Sequence, residues 1–389
     1  MKPSRNLFKA LRRRFTSEEP AGREEKDNFF YPGESFAGLR DRSYAGFRDV
    51  IEKSLAMWRE DPLARRIVNL TTQFSVGRGF VITADDPSSE AFLHRFWEHP
   101  LNRMDARIVE WSDELCRTGN LFIMLSSDPD GMTYVRAIPA GQIAEIVPRE
   151  NDLEQPLLFR FREVSTPGDP VIQPEKTVKP ACLSTPESEE RMLHFAVNRP
   201  VGGQWGEPDL APVLKWLDRY RIWLEDRVRL NHYRTAFLFT VKSSYYSESM
   251  RRERQAQLNL RPPTAGMILV TGADEEWSVI HPNLDSSDAN EDGFAIKKLI
   301  AAGAGIPVSF LAEVSGPSQA ENGGMEDSAC RGFRQRQQTL MWITETILRH
   351  VLARAALIHR DLDPDCEIHV YGDDIAAPGL SEGGMIRGK

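Results

Sequence analysis

The chain has 389 residues, enough for two or three domains and an ample core. Its hydrophobic share of 41% and charged share of 27% are ordinary for a soluble protein. A formal charge of −8 argues against a protein that grips nucleic acid tightly through a basic surface, but not against one that lets DNA pass.

Four cysteines, Cys116, Cys182, Cys330 and Cys366, lie far apart without a C-x-x-C pair. They read as reduced thiols of an intracellular protein, not as a disulfide frame or zinc site. The histidines are dispersed and no H-E-x-x-H occurs, so His350 and His359 read as core or surface residues. The basic start lacks the apolar stretch of a signal peptide. The longest apolar candidate, Leu299 to Val314, is broken by Gly303, Gly305 and Pro307. Neither a membrane, a metal nor a cofactor is expected.

Residues 1–44 read as a flexible tail, basic at Lys2, Arg5, Lys9, Arg12, Arg13 and Arg14 and acidic further on. Helices are expected at about 45–59 and, capped by Asp61-Pro62, to about Gln73. Gly77 and Gly79 end the second helix before a strand at 80–83. Helices follow at 89–98 and 104–117, the latter closed by Gly119-Asn120. Strands at 121–126 and 132–138 flank the turn Asp128-Pro129-Asp130-Gly131. Further strands are expected at 144–147, 157–163 and 192–197, with an exposed loop at 165–190.

Gly206-Glu207-Pro208-Asp209 then introduces a long helix, free of Pro and Gly from Val213 to about Arg234 and roughly 40 Å long. Its apolar arc is wide, with Leu210, Val213, Leu214, Leu217 and Leu224 beside a second row of Trp216, Tyr220 and Trp223. Such an arc implies burial on more than one side, as in a central helix of a large domain or at a subunit contact. A strand at 237–241, a charged helix at 247–259 and strands at 267–271 and 276–281 form a small insertion. A second helix at about 293–302 runs into Gly303-Ala304-Gly305-Ile306-Pro307. Ser315–Asp327 reads as a mobile loop. A last long helix extends from Ser328 to about Ile358, followed by a strand at 367–371.

Several pieces in this order resemble the portal protein of tailed bacteriophages and prophages, the head-to-tail connector. They are Asp61-Pro62-Leu63-Ala64-Arg65-Arg66-Ile67-Val68, Thr118-Gly119-Asn120-Leu121-Phe122-Ile123 with Val135-Arg136-Ala137-Ile138-Pro139, Val197-Asn198-Arg199-Pro200 through Gly206-Glu207-Pro208, and Ile300-Ala301-Ala302 into Gly305-Ile306-Pro307-Val308. The resemblance implies an α+β fold with a wing at 45–208, a first stem helix at 209–236 and a clip at 237–291. A second stem helix and turn would occupy 292–312 and a tunnel loop 313–328. Residues 329–389 would return to the wing and a reduced crown.

The resemblance also implies a non-enzymatic homo-oligomeric ring, commonly a dodecamer, at the virion's capsid vertex, assembled in the host bacterial cytoplasm. Double-stranded DNA would pass through it at packaging and ejection. Its partners would be the terminase large subunit, head-completion and adaptor proteins, and the major capsid or scaffold protein. Channel candidates are Lys297, Lys298, Arg331, Arg334 and Arg336, for which a solvated face or ion pairing is the competing reading. Subunit-packing candidates are Leu210, Leu214, Trp216, Leu217, Tyr220, Trp223 and Leu224.

Two alternatives remain. Tyr371-Gly372-Asp373-Asp374 after an apolar strand is the pattern of a nucleic-acid polymerase's metal-binding hairpin, although few residues follow it. Another phage head-tail adaptor ring is the second. No G-x-x-x-x-G-K-[ST] or G-x-S-x-G occurs, so neither a nucleotide-driven motor nor a hydrolase elbow is indicated.

Overall fold

Helix starts fall where the sequence supplies caps. Ser43 accepts a hydrogen bond from the Gly46 N–H ahead of α1 (Tyr44–Glu60). Asp61 accepts from the Leu63 and Ala64 N–H groups at 2.8 and 2.9 Å ahead of α2 (Pro62–Val76). Asp86 accepts from the Ser89 N–H ahead of α3 (Pro87–Glu98). Pro62 and Pro87 each occupy the first helical position, where the missing N–H costs nothing. α4 (Met104–Thr118) ends at Gly119 in the left-handed conformation, φ 71°. The computed structural model describes residues 42–149, 152–162, 176–181, 190–235, 238–242, 244, 247–260, 276–280, 289–311, 319–375 and 385–387.

A six-stranded sheet forms the centre. It contains β2 (Asn120–Ser127), β3 (Thr133–Ile138), β4 (Ile143–Arg149), β5 (Asp152–Phe161), β6 (Thr177–Pro180) and β7 (Arg191–Ala196), in the order β3-β2-β7-β6-β5-β4. All pairings are antiparallel except β6 with β7. The unbroken apolar run of β2 is explained by burial on both faces. Leu121, Ile123 and Leu125 join one core with α3 and α4. Phe122 and Met124 join another with Phe47 and Ile51 of α1. The short strand β6 lies inside the stretch expected to be an exposed loop. Thr-Val-Lys-Pro is too short to show an alternating pattern.

The remaining elements are α5 (Leu214–Thr235), β8 (Leu238–Lys242), α6 (Glu248–Leu260), β9 (Glu276–Ile280), α7 (Ala289–Ala304), the short α8 (Val308–Leu311) and α9 (Gln319–Ala356). β1 (Val81–Ala84), β10 (Ile368–Asp373) and β11 (Met385–Arg387) form a second sheet with β10 in the middle. α9 starts at Gln319, so residues 319–327, read from sequence as loop, are helical. The strand expected at 267–271 lies outside the described residues.

α9 joins two cores. Ala329, Cys330 and Phe333 pack with α2, α5 and α7, whereas Leu340 through Ala355 pack with α3, α4 and β10. Among the described residues no helix is long and apolar enough to cross a membrane.

Candidate functional site

The helices α5 and α7 pack against each other closely. A side chain built on Gly293 would strike the Trp223 ring at 2.5 Å, and one on Gly303 would meet Val213 at 2.7 Å. Gly293 therefore pairs with the far part of α5 and Gly303 with its start, so the two helices run antiparallel. Between them the chain makes β8, α6 and β9. β8 pairs with β9 in antiparallel register from Leu238 opposite Ile280 to Lys242 opposite Glu276. The result is a helical hairpin with a small α/β piece at its far end.

The apolar arc of α5 divides along its length. Leu210, Val213, Leu217 and Tyr220 are buried in the chain's own core with Ile67, Ile300, Ile306 and Phe333. Leu214, Trp216 and Trp223 pack partly on that core. Leu210 and Leu217, expected as subunit-packing residues, are 0% exposed and Tyr220 is 8% exposed, so these three are used within the chain. The arc looked too wide because α2, α7 and α9 surround this part of the helix. Past Tyr220 the situation reverses: Ile222, Leu224 and Val228 are exposed, and Leu299 on α7 is exposed with them. Apolar side chains left in water on a helix standing away from its core fit contact with another surface.

The basic candidates separate in the same way. Lys297 is half-buried with its ammonium 5.4 Å from the Tyr220 ring centre, at the seam of the two helices. Lys298 is exposed, 4.6 Å from the Phe294 ring centre. Arg331 is exposed at the described start of the packed part of α9. Arg334 donates to the Ile375 carbonyl at 2.7 Å and lies 3.7 Å from Asp374. Arg336 donates to both oxygens of Asp209 at 2.6 and 2.7 Å, with only 13% of its side chain exposed. Sequence alone could not find that pair, because its members lie far apart in the chain and only the packing of α9 on the Pro208–Asp209 turn unites them.

The Tyr371-Gly372-Asp373-Asp374 segment is the end of β10. A returning strand is present, since β11 pairs with Tyr371, Gly372 and Asp373. Both aspartates, however, face arginines. Arg78 donates its backbone N–H and its guanidinium to Asp373, at 2.8 Å and 2.9–3.2 Å, and these bonds hold the carboxyl below the usual carboxylate range. Arg334 adjoins Asp374. The Arg78 guanidinium occupies lone pairs of Asp373 that a triphosphate-bound Mg²⁺ would need, and a side chain at Gly372 would press on Gln337 at 2.9 Å. This arrangement holds α2 and α9 onto β10.

Two of the segments that carry the resemblance, Gly119-Asn120 and Gly206-Glu207-Pro208, meet in a backbone-to-backbone junction. A side chain on Gly206 would collide with the Gly119 and Val197 backbone, and one on Gly119 with that of Glu207. The junction sets the direction in which the chain leaves the sheet for α5. Cys116 is buried beside it, and burial, with Asp209 adding to it, pushes its thiol far up. Among the described residues, Cys116, Cys330 and Cys366 form no disulfide.

These features define an α+β protein: a sheet covered on both faces, and an antiparallel helix pair carrying a small inserted piece. No protein-family model matches the chain, and no curated protein matches its sequence. Solved structures do. A chain in the virion of a native gene transfer agent particle superposes with a TM-score of 0.57 at 11% identity, over 82% of this chain and 88% of that one. A chain from the neck of a native particle of this kind, computed with C12 symmetry, gives 0.51 at 13% identity, over 81% and 82%. An HK97-family phage portal protein from Corynebacterium diphtheriae is more distant, with 0.40 at 15% identity over 77% and 89%. The chain thus shares its fold with chains of gene transfer agent particles.

Proposed function

We propose that this chain is the subunit of a portal, a ring at the vertex of a phage-like particle through which double-stranded DNA enters and leaves. The observation that carries the reading is the likeness over four-fifths of the chain to chains from the virion and neck of gene transfer agent particles, one of them computed with C12 symmetry. The helical hairpin supports it independently. In a ring each subunit offers two different faces to its neighbours, and the exposed Ile222, Leu224, Val228 and Leu299 give α5 and α7 apolar surface beyond what their own core uses. In this reading α5 and α7 are the stem, the piece between them is the clip, and 45–208 is the wing.

Lys298 and Arg331 are the channel candidates with exposed side chains, and Lys297 lies at the seam of α5 and α7. Arg334 and Arg336 serve the fold through Ile375 and Asp209. The chain supplies no nucleotide-hydrolysing motif, so the work of packaging falls to a partner motor, the terminase large subunit. Head-completion and adaptor proteins would follow it, with the capsid or scaffold protein around the ring.

Native mass spectrometry and electron microscopy of the purified full chain test the reading. The expected particle is a closed annulus of about twelve subunits. A chain that stays monomeric at high concentration, and forms no annulus with capsid and scaffold proteins present, would overturn it.

A further inference from the structure

We draw no further inference here: the strongest candidate, the cavity at the root of the helical hairpin lined by Asp209, Ala302, Gly303, Gly305, Gly332 and Arg336, carries nothing, because the cations on its wall are already paired, Arg336 with Asp209 and Arg42 with Glu207, and nothing in the structure shows what fills it.

Discussion

Asn120 is buried, and both ends of its amide have partners. Its Nδ2 donates to the Thr118 and Gly206 carbonyls at 2.8 and 2.9 Å, and its Oδ1 accepts from the Gly206 N–H at 2.9 Å and faces His194 Nε2 at 3.1 Å. His194 is stacked on Phe122 with ring centres 4.3 Å apart, and burial, helped by Arg199, lowers its pKa to about 3. Burial beside Arg354 lowers that of His350 to about 4. Both imidazoles are neutral in the folded chain, whereas unfolding would let them protonate below about 6.5. The unfolded state then binds more protons, so stability falls as pH drops from about 6.5 toward 3, at roughly 1.4 kcal/mol per pH unit from His194. Urea melts between pH 7 and pH 4.5 should show this slope, and His194→Gln, which keeps a donor toward Asn120 but cannot titrate, should flatten it. A slope unchanged in that variant would place the acid sensitivity elsewhere. Gly119-Asn120 could be read from the sequence as a helix stop followed by a strand. The partner Gly206 could not, because nothing local says which loop will lie across it.

At the scale of elements, caps and apolar periodicity marked most of the helices and strands. Asp61-Pro62, Gly119 and the uninterrupted run from Val213 placed the start of α2, the end of α4 and α5 within a residue or two of where they stand, while α2 runs three residues past its expected end at Gln73. The start of α9 was hidden, because Gly323 and Gly324 weaken helix by about 1 kcal/mol each and local propensity there points to a loop. What fixed the α5–α7 contact was also invisible in either helix alone. Gly293 and Gly303 look like weak helix residues until Trp223 and Val213 are seen against them. Gly293→Val should therefore destabilise the folded chain by roughly 1–3 kcal/mol through overpacking on Trp223. The same change at Gly332, where an added side chain meets nothing, should have a much smaller effect. Denaturant midpoints of the two variants give the comparison, and equal midpoints would show that Trp223 can yield.

At the scale of the molecule, sequence order suggested a helix, an inserted piece and a returning helix, and the α+β fold has that order. The division of the cationic candidates was not legible, because Arg336 and Arg334 find partners in Asp209 and Ile375 that only the folded chain brings near. If the piece between α5 and α7 is the site where a motor docks, removing residues 237–291 and joining the helices by a short turn should leave a folded chain that no longer captures the terminase large subunit in a pull-down. Retained capture would move the docking surface elsewhere. The antiparallel helix pair makes that removal feasible, because the chain leaves on one helix and comes back on the one beside it. The appendage is therefore attached through two adjacent crossings, like a tool in a chuck. Its size and surface can change while the sheet and the cores below stay as they are.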